Sequence, residues 1–339
     1  MALTRRELLT LVAGSTALAA CGGVSVQSRG SRGYQELHKN VTVGRETVLV
    51  CMPETSQTQQ AWTGLNDELG QEFSLIAVRI EGRDDNAVIA EAVKRHRPAG
   101  VVLMNNPTVT AYRRYESELA STKRVPNVAI MTSFLQARRL GPNATGVAYE
   151  VPVITSVTHL RKILAERIDR VGVVYRQSLA RFVSDQRELA AREQITIVGE
   201  AVSEAPNESE IKRAIRTLKQ KTDAVWVLND DHLLTPQLIS KGWLPGLNER
   251  PWRPAIVGAE SLVAAKLSFG TFAVLPDHTE LGTQAANVIF DIADEGWVLP
   301  SAYPTQEPLS IKTTLDLVQV HERFHLLPDA LAHVDRVLK

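Results

Sequence analysis

Residues 100–107 read Gly100-Val101-Val102-Leu103-Met104-Asn105-Asn106-Pro107, and that order of residue types carries the architecture in miniature. An unbroken apolar run this short marks a strand covered on both faces, since a strand with one wet face would alternate. Asparagine and proline directly after it start helices, one by accepting a backbone N–H and the other by its preset φ. Helical spacing then continues through Tyr112 and Leu119. The unit is a buried strand, a tight turn and a helix that returns over the sheet.

The unit repeats in both directions along the chain. Upstream, Thr47-Val48-Leu49-Val50-Cys51-Met52 stops at Pro53 and leads to a helix over 56–69 with Trp62, Leu65 and Leu69 on one side. A strand over 73–80 precedes a helix for which Asp84 and Asp85 are capping candidates, and Val128-Ala129-Ile130-Met131 is a fourth strand. After a connecting piece over 138–150, a helix over 153–164 begins a second run. Its strands are 170–175, 195–202, 223–228 and 254–258, and its helices are 180–192, 209–218 and a short one after Thr235. The tail adds an extended run over 267–275, a helix from Asp277 to about Asp294, an extended piece over 304–312 and a helix reaching about His325. Such units give parallel sheets with right-handed crossovers and helices on both faces. The expected fold is α/β: two doubly wound, Rossmann-like lobes joined by a hinge that the chain crosses several times. Lobe one takes 42–137 plus about 274–300, lobe two takes 138–273, and 301–339 is a C-terminal crossing segment and helix.

Composition agrees with two lobes. The 339 residues are 44% hydrophobic and 22% charged, the balance of a globular chain that is too long for one core. Lys and Arg number 38 and so do Asp and Glu, which gives no basic surface for nucleic acid or anionic lipid. Cys51 sits in an apolar run and reads as a buried small hydrophobe, so no disulfide is expected in the mature chain.

The N-terminus assigns a compartment. Arg5 and Arg6 precede an apolar run over 8–20 that closes on Leu18-Ala19-Ala20-Cys21. A basic head, a short apolar body and small residues at its end describe an export signal over 1–20. The run is about thirteen residues long, short of the roughly twenty that span a bilayer. Leu18-Ala19-Ala20-Cys21 resembles the lipobox of bacterial lipoproteins, which implies acylation of Cys21. A plain signal peptide with an incidental cysteine is the alternative. Thr4-Arg5-Arg6-Glu7-Leu8-Leu9 is similar to the twin-arginine export motif, with a general secretory signal as its alternative. Residues 21–41 read as a lipidated flexible tether. The protein is then extracytoplasmic and lipid-anchored, on the inner or outer membrane of a two-membrane cell or the outer surface of a single-membrane one. Gly22 stands where lipoproteins held at the inner membrane carry aspartate.

Ligands of open parallel sheets bind beyond the carboxyl ends of the strands, which names candidate residues without further information. In lobe one these are Glu54, Asn105, Asn106, Ser133 and Phe134. In lobe two they are Tyr175, Gln177, Asn229, Asp230 and Glu260. Amides and hydroxyls suit a polar ligand, helix N-termini suit a carboxylate, Asp230 or Glu260 suits an ammonium, and Phe134 or Tyr175 can stack on a flat group. Each has a plainer reading. Asn105 and Asn106 are typical caps, Glu54 complements a helix dipole, Tyr175 can be core, and Arg176 can pair with an acid. No phosphate-binding, nucleophile-elbow or dinucleotide motif occurs, so neither catalysis nor a cofactor is expected. His321-Glu322-Arg323-Phe324-His325 has zinc-hydrolase spacing. Its context is poor: Arg323 replaces a bulky apolar residue, Pro328 interrupts, and Asp329 and His333 are the sole nearby choices for a third ligand.

Several segments together carry a family resemblance. These are Asn143-Ala144-Thr145-Gly146-Val147, opening the second half, Arg170-Val171-Gly172-Val173-Val174-Tyr175, Asp223-Ala224-Val225-Trp226-Val227, Pro254-Ala255-Ile256-Val257-Gly258 and Leu281-Gly282. In order and spacing they resemble the substrate-binding lipoproteins of ABC transporters with the type I periplasmic-binding-protein fold, in the group that includes tryptophan- and tyrosine-type binding proteins. The resemblance implies a small polar ligand, an amino acid or similar, held in a cleft between two lobes of a monomer and delivered to an ABC permease. It departs from the pattern at Asn105-Asn106, at Ser133-Phe134-Leu135-Gln136, and at Phe272-Ala273-Val274-Leu275. The alternative is a binding protein that senses a ligand or docks a partner without a transporter.

Overall fold

The computed structural model describes residues 33–138, 140–141, 143–263, 267–300 and 303–339. The export signal, Cys21 and the first part of the tether lie outside the described residues. The chain divides into two compact units, 33–149 with 276–310 and 150–275 with 311–339, and passes from one to the other after Tyr149, Leu275 and Ser310.

The first lobe holds six strands: β1 (Glu36–Asn40), β2 (Thr47–Met52), β3 (Ser74–Arg79), β4 (Gly100–Met104), β5 (Asn127–Thr132) and β6 (Ala144–Ala148). They lie in the order β1-β3-β2-β4-β5-β6, parallel throughout except for β1. Side chains of a strand alternate between faces, so the unbroken apolar runs feed two cores. Val48, Val50, Met52, Val102 and Met104 pack on one face against α1 (Ser56–Leu69) and α7 (His278–Asp294). Leu49, Cys51, Val101 and Leu103 pack on the other against α2 (Asn86–His96) and α3 (Asn106–Ser117). Cys51 is fully buried, and burial pushes its thiol up to about 12. Helices α1 and α7 touch backbone to backbone. A Cβ on Gly64 would lie 2.0 Å from the Thr279 carbonyl oxygen, and one on Gly282 would lie 2.0 Å from that of Ala61.

Two strands of the first lobe stand where none was expected. Glu36–Asn40, read as tether, is the antiparallel edge strand β1. It is polar because it has a water-facing side, and charge on an exposed edge discourages further pairing. Tyr34 fastens its start: the hydroxyl donates to Glu36 Oε1 at 2.7 Å and also meets His96 Nε2, and the Arg95 guanidinium lies 4.2 Å over the ring. Glu36 stands opposite Val78 and Asn40 opposite Leu75, so the chain enters at the carboxyl end of β3. Ala144–Ala148, placed in a connecting piece and taken to open the second half, is β6 of the first sheet. The cap of α2 also differs. The Asp85 side chain makes no cap bond there; its carboxylate accepts the Glu81 and Gly82 N–H groups, each at 2.9 Å.

The second lobe holds β7 (Arg170–Arg176), β8 (Thr196–Val202), β9 (Ala224–Val227), β10 (Ala255–Val257), β11 (Phe272–Pro276), β12 (Ile311–Asp316) and β13 (Arg336–Leu338), in the order β13-β12-β11-β10-β9-β7-β8. The C-terminal segment thus extends this sheet with two strands. Helices α4 (Val153–Arg161), α5 (Ala180–Ala191) and α6 (Glu208–Lys219) belong here. In α6 the Glu210 N–H donates to the Asn207 side chain, Glu208 and Glu210 lie in the first turn, and Ile211, Ala214, Ile215 and Leu218 form the buried stripe. Lys219 is also buried, donating to the carbonyls of Gly246 at 2.7 Å and Leu247 at 3.3 Å. Burial pulls its pKa down to about 8, with Glu249 opposing. The short helix expected after Thr235 is a helical segment over 236–248 with a π turn at Ile239–Trp243.

Candidate ligand-binding site

Each sheet reverses direction once. In the first lobe β2 leads outward to β3 and the chain returns to β4 on the other side of β2; in the second lobe β7, β8 and β9 repeat this order. A crevice forms at such a switch point, beyond the carboxyl ends of the strands. The loops there are 53–55 and 105–107 in the first lobe, and 176–178 and 228–231 in the second.

In the first lobe, Asn105, Asn106 and Ser133 are brought together. Asn105 has φ 87° and ψ 166°, a combination open essentially to glycine, and its Oδ1 accepts the Thr108 N–H at 3.0 Å. Asn106 Oδ1 accepts the Ser133 N–H at 2.9 Å, tying the loop after β4 to the loop after β5. Met131 and Phe134 also have positive φ, 54° and 55°. Strained backbone of this kind gathers at ligand sites, held in place by its surroundings. The Ser133 hydroxyl is buried with no hydrogen-bond partner among the described residues. Phe134 is buried beside it in sequence. Glu54 faces elsewhere: it is exposed and pairs with Arg79 at 3.1 Å.

In the second lobe the charged candidates are occupied. Asp230 is 1% exposed and accepts from Arg176 Nε at 2.7 Å and Nη2 at 3.1 Å. Arg176 also reaches Glu204 at 2.8 Å. Burial alone would lower the Arg176 pKa, but its bond to Asp230 and the charges of Asp230 and Glu204 hold it above its ordinary value. Glu204 is in turn held below the usual carboxylate range by the hydroxyl and N–H of Ser178. Glu260 pairs with Arg336 on β13 and receives the Thr314 hydroxyl at 3.4 Å. Tyr175 is half-buried and its ring lies against Gly199 of β8, away from the switch point. Gln177 is exposed at the start of a single 3-10 turn.

Asn229 is the exception among these. It is 7% exposed, and neither Oδ1 nor Nδ2 has a hydrogen-bond partner among the described residues. Its side chain lies beside Gly258 at the end of the neighbouring strand β10. In the turn after Gly258, the Ser261 hydroxyl is also buried and unpartnered among the described residues. A buried donor or acceptor left unmade costs about 1–3 kcal/mol, so polar atoms gathered without partners at a switch point have the character of a binding surface. Ser261 follows the candidate Glu260 in sequence but was not singled out, because burial of its hydroxyl is a property of the fold.

The zinc-type spacing forms no site. Helix α8 (Leu317–Arg323) ends before His325, since Phe324 is extended, and His325 Nδ1 meets Glu166 Oε1 at 2.9 Å. Among the described residues no cluster of three His, Cys, Asp or Glu could hold a metal ion. No helix among them is long and apolar enough to cross a membrane.

No protein-family profile matches the chain, and no curated protein does. Solved structures do. A ligand-free, open substrate-binding protein with adhesive properties from Clostridium difficile is similar with a TM-score of 0.61 and 14% identity, over 87% of this chain and 99% of that one. A conserved domain protein from Vibrio cholerae gives 0.56 and 16% identity over 87% and 99%. An ABC domain in complex with L-Trp from Streptococcus pneumonia gives 0.53 and 18% over 86% and 100%. At such identities the likeness carries the fold and not the ligand. With the repeated strand order of its two sheets, the chain has the type I periplasmic-binding-protein fold.

Proposed function

We propose that the chain is an extracytoplasmic solute-binding lipoprotein, anchored through Cys21, that holds a small polar molecule with the carboxyl-end loops of its lobes and delivers it to an ABC permease. The observation that supports this reading best is the set of buried hydrogen-bonding atoms at those loops with no partner among the described residues: Ser133 Oγ in the first lobe, and both polar atoms of Asn229 in the second. The likeness in fold to substrate-binding proteins agrees with it. Binding needs no chemistry on the ligand, so the loops act by positioning donors and acceptors.

A thermal-shift screen of the purified chain against amino acids, nucleobases, amides, sugars and small organic acids tests the reading. A ligand present at 100 times its Kd stabilises by about 2.7 kcal/mol, which raises the melting temperature by several degrees. No shift with any compound class would remove solute binding as the function.

A further inference from the structure

We infer that the ligand is an uncharged molecule presenting a cis-amide edge, a carbonyl next to an N–H as in a primary carboxamide, a lactam or a pyrimidinone, which Asn229 reads with its own carbonyl and amino groups. The inference rests on the solute-binding reading above and narrows it. It comes from which hydrogen-bonding groups of the second lobe are already used and which are not.

The charges at this edge are satisfied within the lobe. An ammonium on Asp230 would have to share, with two bonds from Arg176 at 2.7 and 3.1 Å, a carboxylate that is 1% exposed. A carboxylate on Arg176 would compete with both Asp230 and Glu204 for one guanidinium. Glu260 is held by Arg336 and Thr314. A zwitterion therefore meets Asp230, Arg176 and Glu260 with their charges already engaged. Among the described residues of these loops, the atoms left without partners are neutral: Oδ1 and Nδ2 of Asn229 after β9, and the hydroxyl of Ser261 in the turn after β10. A carboxamide side chain sets an acceptor and a donor side by side, and its complement is another amide-like edge, the geometry by which asparagine reads a nucleobase in two bonds. The Asn229 side chain lies close to Gly258 at the end of β10.

Calorimetric titration of the full-length chain with uracil, nicotinamide and 2-pyrrolidinone, beside L-tryptophan, L-leucine, succinate and ribose, tests the inference. At least one amide is expected to bind, and every zwitterion, acid and sugar is expected to bind at least about tenfold more weakly, as when a buried pair is left unmade. Asn229→Leu should abolish amide binding while leaving the unliganded melting temperature unchanged or higher, since an apolar isostere removes an unmet group. Asn229→Asp, which keeps the volume and loses the donor, should lose the amide as well. Preferred binding of an amino acid, acid or sugar would overturn the inference and leave solute binding standing. Amide binding that survives both variants, or a lowered melting temperature in Asn229→Leu, would overturn the role of Asn229. Absence of binding by all seven compounds would overturn the inference, and the broader screen decides separately whether solute binding falls with it.

Discussion

Arg176 and Asp230 stand far apart in sequence and meet as a two-bonded pair at the end of β7 and the start of the loop after β9. The pair is asymmetric: the Arg176 side chain is 15% exposed and that of Asp230 is 1% exposed. Removing the arginine alone strands a buried charge, whereas removing both leaves none. Arg176→Met is therefore expected to lower unfolding stability by about 3–5 kcal/mol, and adding Asp230→Asn should recover most of that loss. Urea denaturation of the two single variants and the double variant closes the cycle, and equal losses in all three would show that the pair is not the source. Sequence reading reached these residues only halfway. It named Asp230 for a ligand ammonium and left Arg176 to pair with some acid, because one residue's chemistry is visible in sequence and its partner is not. The same holds for Asn229: its amide is legible as a candidate, but the lack of a partner is a property of packing. Glu54 and Glu260 went the same way, each satisfied by an arginine from another element.

The elements themselves were more legible, and the reason is periodicity. Buried parallel strands such as β2, β4, β5 and β7 are unbroken apolar runs that no surface segment imitates. The edges escaped for the opposite reason. Strand β1 spells Glu-Leu-His-Lys-Asn with Leu37 as its one apolar residue, and β6 spells Ala-Thr-Gly-Val-Ala, too small and polar to look apolar. The contact of α1 with α7 was invisible as well, although Gly64 and Gly282 were in plain view. Glycines in helices lose about 0.5–1 kcal/mol against alanine by propensity, so their presence at this crossing follows from close backbone approach. Gly64→Ala is expected to destabilise by about 1–3 kcal/mol, the range for overpacking, despite alanine's better helix propensity. A chemical melt that showed Gly64→Ala to be more stable than the parent would mean that the two helices do not meet as described.

Across the whole molecule, two sheets that share the order of five parallel strands belong to one chain that passes between lobes three times. The start of β1 at the carboxyl end of β3 fixes where the proposed anchor attaches to the first lobe: beside Arg79, which pairs with Glu54 and whose N–H donates to Gln35. From Cys21 to Tyr34 the chain spans at most about 45 Å whatever its conformation. The returning helix α7 covers the face of the first sheet that carries Val48, Val50, Met52, Val102 and Met104. A chain ended at Leu275 lacks that helix and is expected to bind a hydrophobic dye such as ANS. Dye binding no greater than that of the full chain would show that the face is closed by other means.

The late position of α7 sets the order of events on the ribosome. The first lobe's leading segment is complete at Tyr149, yet its last core helix ends at Asp294, roughly 145 residues later. At about 5–20 residues per second, the apolar face of that sheet, covered early by α1, waits roughly 7–30 s for α7 while the second lobe is being made. Until then the part of the first core that α7 closes stays open to solvent, through an interval that a chain with its first lobe encoded in one piece would not have.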